Sequence, residues 1–485
     1  MPEQTVVSGG RMYKAMGHIA HKANQVEMLN TLLCINAYNG TILWRRSLSP
    51  GFMLYRNTMV ATDLYGNIAL GPAPAVGSRD VGGPLVVGQN IREVPELDVQ
   101  PGDWTSYRGN NARSDVTSVS IPANVRLAWQ VEISANELPT ARVAAGNMVF
   151  IADRSGAISA FDDNGHLAWK TYTGGPLYYP PQIAHDRVYA GSADGRVYAL
   201  AARTGRFLWS YRVAPEERLI PVYGNLISTW PVAGGVVVHG GSVYAAAGIA
   251  HYDGTHVVRL DAMTGEPLAT NRDSGVLAPE VNGGVSMQGE LMIVDGELQF
   301  LGGGVYEIAR YDLQTLTSLN SPKVQVTSQF RTAFYPYYPE YGKYVSLEHT
   351  CPDGSTLCQD ASYDGSVFTN LALEAALPAG ETRPRKEVSK WMQRRGQSPQ
   401  QLWQDKQDRR YTSLVVSDDQ LLAAGHPNNA PDQATLTAIN IKDGSDAWTE
   451  KLPALAVKGG IAIDARGRIY VATEDGHLLS YAPAK

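Results

Sequence analysis

Residues 187–213 read RVYAGSADGRVYALAARTGRFLWSYRV, and this stretch decides the fold. Apolar and polar residues alternate through VYAG, break at Asp194-Gly195, alternate again through RVYAL, break at Thr204-Gly205, and alternate a third time through FLWSY. Period-two alternation interrupted by glycine turns is the pattern of consecutive antiparallel strands. Working outward, the hairpin recurs. INAYNGTILW ends at Trp44, SAFDDNGHLAW at Trp169, YALAARTGRFLW at Trp209 and TAINIKDGSDAW at Trp448. Each has a glycine four residues before its tryptophan: Gly40, Gly165, Gly205 and Gly444. A fifth copy, VVRLDAMTGEPLA, keeps Thr264-Gly265 and lacks the tryptophan. Trp129, Trp169 and Trp209 are spaced 40 residues apart, within the roughly 40–45-residue period of blade-forming repeats.

Asp-Gly pairs recur at Asp253, Asp295, Asp353, Asp364, Asp443 and Asp475, so each unit offers about four short strands. The expected fold is all-β: an eight-bladed β-propeller of four-stranded antiparallel blades with a partly helical inter-blade insertion. Blades are expected near 5–50, 51–100, 125–172, 180–213, 231–272, 281–320, 411–453 and 457–483, with a connector over 101–124. The last unit shows three strands before the chain stops, and the N-terminal segment is expected to supply its fourth. Trp44, Trp169, Trp209 and Trp448 fall on the last strand of their units, where a large ring fills the wedge between blades. Residues 321–410 break the repeat. They contain the tyrosine-rich RTAFYPYYPEYGKY and a polar stretch around Trp391 and Trp403 that reads as exposed helix.

Composition narrows the function. Of 485 residues 44% are hydrophobic and 18% charged, with net charge −6, which excludes a disordered chain. No apolar run reaches the ~18 residues of a membrane-spanning helix, and the acidic balance leaves no footprint for nucleic acid. MPEQTVVSGG has neither the basic start nor the apolar run of a signal peptide, so the chain reads as cytoplasmic or as a trimmed form. The cysteines are Cys34, Cys351 and Cys358, without CxxC, haem-attachment or zinc spacing. Cys351 and Cys358 bracket the turn-rich PDGSTL and form either a small disulfide loop or two unpaired thiols. His18 and His21, like His251 and His256, lack further ligands at metal-site spacing, and no metal site is expected.

The A-x-x-G-x-x-x-W endings, the VYAL strands and the 40-residue step resemble the quinoprotein-type (PQQ-like) propeller repeat family, over nearly the whole chain outside 321–410. Its members include periplasmic alcohol dehydrogenases and the non-catalytic outer-membrane assembly lipoprotein BamB. DWTSYRGNNARSDVT (residues 103–117) is similar to the W-x-x-x-R-G-x-x-x-R-S-G-x-T lead-in of many bacterial members, often planctomycete-type, with Asp115 in place of the usual glycine. The resemblance implies an extracytoplasmic, periplasmic setting. Catalytic members hold pyrroloquinoline quinone (PQQ) against a disulfide of adjacent cysteines and beside calcium. Here no two cysteines are adjacent, so no cofactor is expected, with PQQ and calcium as the alternative.

One segment breaks the strand pattern: YGNLISTWPVAGG, from residue 223, follows APEERLI. Arg218, Asn225 and Trp230, with Tyr335, Tyr337 and Tyr338, are the expected platform for a protein partner or small ligand at a propeller face. The expected function is therefore a non-catalytic binding scaffold. The alternatives are a divergent PQQ-dependent oxidoreductase acting on alcohols or sugars, and a carbohydrate-binding propeller.

Overall fold

The computed structural model describes residues 5–8, 11–16, 31–36, 38–47, 61–62, 68–69, 83–133, 137–222, 225–277, 283–287, 289–302, 308–320, 344–350, 356–362, 370–374, 401–405, 407, 409–427, 429–430 and 432–484. The chain divides into two compact units, Met1–Val81 and Gly82–Lys485. In the first, β1 (Thr5–Ser8), β2 (Arg11–Met16), β3 (Thr31–Asn36) and β4 (Ile42–Ser47) form one antiparallel sheet in that order. Cys34 is buried and stands opposite Trp44 in the β3–β4 ladder. β5 (Ala61–Thr62) and β6 (Ile68–Ala69) make a separate pair.

The second unit opens with β7 (Leu85–Val87) and β8 (Val125–Glu132). Its sheets then follow in chain order. The first holds β9 (Pro139–Ala145), β10 (Met148–Asp153), β11 (Ala157–Phe161) and β12 (Leu167–Tyr172). The second holds β13 (Gln182–Ala184), β14 (Arg187–Gly191), β15 (Arg196–Ala201) and β16 (Phe207–Arg212). A hairpin of β17 (Leu219–Val222) and β18 (Asn225–Ser228) intervenes. Next come β19 (Val236–His239), β20 (Ser242–Ala247), β21 (His256–Asp261) and β22 (Pro267–Asn271), then β23 (Met292–Val294), β24 (Glu297–Leu301) and β25 (Ile308–Asp312). A further sheet holds β26 (Tyr344–Thr350), β27 (Thr356–Ser362), β28 (Asn370–Glu374) and β29 (Gln401–Gln404). The last two comprise β30 (Arg409–Val416), β31 (Gln420–Pro427), β32 (Thr435–Asn440) and β33 (Asp446–Lys451), and finally β34 (Ala456–Ile463), β35 (Ile469–Thr473) and β36 (His477–Pro483).

The first strands of successive sheets touch: β30 meets β34, β34 meets β9, β9 meets β13, and β13 meets β19. Apolar side chains fill each junction, so the core is a series of layers between sheets rather than one central mass. The tryptophans set the spacing of those layers. Trp169 Nε1 donates to Ala202 O at 2.8 Å and Trp209 Nε1 to Ala262 O at 3.3 Å, each in the turn of the following sheet. Trp129, on β8, reaches Asp163 O in the same way at 2.9 Å. The ring lies flat over the turn glycine: a Cβ on Gly205, whose φ is +67°, would stand 2.5 Å from Trp169. Only glycine supplies both the left-handed φ and the missing side chain. Trp448 instead donates to Pro122 O at 2.8 Å, and Trp44 is 41% exposed.

Three expectations are corrected. The fourth strand of the last sheet is β8, paired antiparallel to β36 from Val125↔Pro483 to Glu132↔His477; the N-terminal segment pairs within its own sheet. β8 carries the Leu-Ala-Trp of a last strand, so it fits the slot that its own alternation specifies. Within the expected second blade, 51–100, residues 85–87 form a fifth strand on the edge of β16. The expected inter-blade insertion, 321–410, contains the four-stranded sheet β26–β29 and the start of β30. Its helical expectation fails where residues are described: Trp403 lies on β29 and donates to Ile441 O, as Trp129, Trp169 and Trp209 do to their next sheets. The rest of that expectation, at 375–400, lies outside the described residues.

Candidate functional site

Two constellations stand out in the second unit. The first was anticipated from sequence. Pro221 and Asn225 lie in a hairpin whose register runs from Leu219↔Ser228 to Val222↔Asn225, so Asn225 sits at the tip and Arg218 and Trp230 at the base. Thr229 N bonds Arg218 O at 2.9 Å, and Ser228 N bonds Ala193 O at 2.6 Å, fastening the hairpin to the β14–β15 turn. The Arg218 guanidinium lies 5.1 Å from the Trp230 ring centre and pairs with Glu216. Trp230 is buried, its Nε1 donating to Asp253 O at 2.5 Å and its ring meeting His256 edge-on. Burial, aided by the Arg272 charge, pushes His256 down to about 4, so it is neutral at pH 7. The hairpin exposes two apolar side chains, Leu226 at 59% and Leu219 at 41%, beside exposed Asn225. The structure thus brings Arg218 and Trp230 together and holds Asn225 apart at the tip. Tyr335, Tyr337, Tyr338 and Cys351, like His18 and His21, lie outside the described residues, and Cys358 falls in β27.

The second constellation is the lead-in, residues 103–117. It crosses the first strands of six sheets as a strap. Ala144 N bonds Trp104 O at 2.9 Å, Ile183 N bonds Thr105 O at 2.8 Å, and Ile293 N bonds Asn111 O at 2.8 Å. Asn111 Nδ2 donates to Val238 O at 2.8 Å. Asp103 accepts from Ala465 N at 3.1 Å, and Val416 N bonds Asp115 O at 2.8 Å. Arg113 is buried and spends its donors on carbonyls: Tyr107, Asn110, Val236 and Leu291. Burial without a paired carboxylate lowers it to about 10. Burial would lower Arg108 too, but its ion pair with Asp115 outweighs that and holds it above the ordinary value. Glu290 lies 3.6 Å from Arg108 and accepts from Tyr179 OH at 3.2 Å. Burial first, and the Glu290 charge second, raise both Tyr107 and Tyr179, so their hydroxyls stay protonated.

Asp115 now has an explanation. Its φ is +58°, in the left-handed region where glycine is easiest and aspartate is among the better tolerated. The substitution keeps the backbone and adds the carboxylate that pairs with Arg108. Sequence reading missed the strap as a site; the signal available was a cluster of arginine and aspartate in a non-alternating segment of a weakly charged chain.

Neither constellation pairs a nucleophile with a base. Among the described residues no three His, Cys, Asp or Glu side chains converge to hold a metal ion, and Trp169 and Trp209 are committed to sheet junctions.

Comparison with known proteins agrees with this architecture. Residues 112–230 match the family described as outer membrane protein assembly factor BamB. BamB of Burkholderia pseudomallei strain K96243 is 28% identical over 191 residues, covering 36% of this chain and 46% of that protein. The dehydrogenase subunit of the quinone alcohol dehydrogenase of Komagataeibacter europaeus is 27% identical over 206 residues, covering 37% of this chain and 26% of that protein. The matched stretch is therefore less than half the length of either relative. A europium-containing methanol dehydrogenase shares the fold with a TM-score of 0.52 at 12% identity, over 81% of this chain and all of that one. The fold is that of a β-propeller. Over residues 112–230 the chain is similar to the PQQ-like, BamB-like propeller repeat family.

Proposed function

We propose that this protein is a non-catalytic, extracytoplasmic scaffold that binds a protein partner on the face carrying the β17–β18 hairpin. One observation carries the reading: a two-stranded hairpin, too small to be stable by itself, is pinned by Trp230 and the β14–β15 turn and presents Leu219 and Leu226 to solvent. Arg218 over Trp230 adds the residue types that dominate binding hot spots. The BamB relatives support an assembly role, and no described helix is long and apolar enough to cross a membrane. Seven sheets of three or more strands among the described residues of the second unit support a many-bladed propeller. A photocrosslinking residue at Leu226, in cells that make the protein, is expected to trap one discrete partner, and Leu226→Asp to abolish copurification of that partner. Crosslinking no stronger than from exposed Tyr172 on β12 would remove the proposal.

The second reading, a PQQ-dependent oxidoreductase, is supported by the alignment with quinone alcohol dehydrogenase. It predicts dye reduction with alcohols or aldoses after addition of PQQ and calcium. Absence of activity across both substrate classes would leave the scaffold.

A further inference from the structure

The innermost strand of the last sheet leaves its ladder where it passes the strap. β34 pairs at Ala456↔Thr473 and resumes at Ile461↔Val471, so residues 457–460 bulge. Such bulges re-aim side chains and recur beside binding sites. This one reads Val-Lys-Gly-Gly, with Gly459 at φ +64° and so close to Tyr107 that a Cβ there would stand 2.7 Å from the ring. Lys458 is exposed between buried Val457 and half-buried Gly459, and among the described residues no carboxylate pairs with it.

Across the junction, on β9, Arg142 is fully buried. Its Nη2 donates to Tyr470 O at 2.7 Å, while Nε and Nη1 have no acceptor. Tyr470 is the ladder partner of Ala462, so Arg142 reaches the strand pair that the bulge interrupts. Burial with no opposing charge nearby holds its guanidinium well below the ordinary value. Among the described residues no carboxylate pairs with Arg142; Asp115 pairs with Arg108, and Glu290 lies between Arg108 and Tyr179. A buried cation with one neutral acceptor is strongly unfavourable by itself.

We propose that the β34 bulge is a binding site for an oxyanion group, carboxylate or phosphate, of a small ligand, with Lys458 as its exposed cation and Arg142 as its buried one. The guanidinium fork suits two oxygens of one such group, and main-chain N–H groups of a glycine-containing bulge can approach a third. Arg142 has no accessible surface in this conformation, so admitting the anion requires a local shift, and the two glycines of the bulge provide backbone freedom for one. This site is separate from the hairpin and does not depend on the scaffold reading.

The test uses the full chain at constant ionic strength, with inorganic phosphate and succinate as probes and chloride as control. Phosphate, succinate or both are expected to raise Tm saturably, as ligand binding to the folded state requires, and the active probe identifies the oxyanion class. Lys458→Met is expected to weaken affinity by about tenfold in calorimetry. Arg142→Met is expected to raise Tm without ligand, by removing an uncompensated charge, and to abolish the response. The proposal is overturned if neither probe shifts Tm beyond chloride, or if both variants respond as the unaltered chain does. Should Arg142→Met fail to fold, the exposed Lys458→Met decides alone. Crosslinking from the hairpin is expected to be unchanged in Lys458→Met, which keeps the two proposals distinguishable.

Discussion

The repeated sheets and the strap hold the same unit together by opposite means. Four junctions between sheets use one periodic device, a tryptophan ring (Trp129, Trp169, Trp209 or Trp403) over a turn glycine with its Nε1 on a carbonyl of that turn. The contact is apolar and local: it links neighbours only. The strap is aperiodic and polar, and fifteen residues of it reach six sheets through main-chain bonds and buried arginines. Three of its non-glycine residues, Arg108, Arg113 and Asp115, hold positive φ, a strain tolerated because many contacts over-determine it. Repetition thus builds the layers, and a single non-repeated segment registers distant layers against one another.

This contrast can be broken from either side. Trp209→Ala removes a fully buried ring and is expected to cost about 4 kcal/mol in denaturant unfolding. Its hydrogen-exchange effect should be confined to β13–β16 and β19–β22; loosening of β30–β33 as well would contradict local coupling. Arg113→Met leaves carbonyls of the strap, Val236 and Leu291 without their donor and is expected to cost about 3 kcal/mol. Here exchange should rise in β19 and β23 together, and a change restricted to one of them would deny the strap its bridging role. The smallest effect sharpens the account of Asp115. Asp115→Gly relieves a positive φ while losing the Arg108 ion pair, so the net cost is expected near 1 kcal/mol, whereas Asp115→Val, with a branched side chain at that φ, should cost distinctly more. Equal costs for the two would show that the backbone conformation is not what selects the residue.

Much of the sheet architecture was legible because its causes are local. Alternation and turn glycines mark strands wherever the repeat is uninterrupted, as over residues 187–213. Legibility failed where the repeat is cut. Trp403 belongs to β29, but 26 residues separate that strand from β28, and the polar composition around it imitates a helix. It failed again at β7 and β8, whose partners lie far away in sequence. Arg218 and Trp230 were singled out from a broken pattern, and the structure sets one over the other. The strap's ion pairs and the Arg142 junction were not, because a charged residue shows its partner only once the chain is folded.

The amino-acid sequence by itself determined the class of strand, the turn positions and the repeat, since these depend on residues a few positions apart. Only the tertiary structure decided which strand completes the last sheet, what the lead-in segment binds, and which buried cations lack a counter-charge. Those outcomes depend on which surfaces meet across hundreds of residues, such as Val125 with Pro483 or Arg142 with Tyr470, and no local preference encodes them.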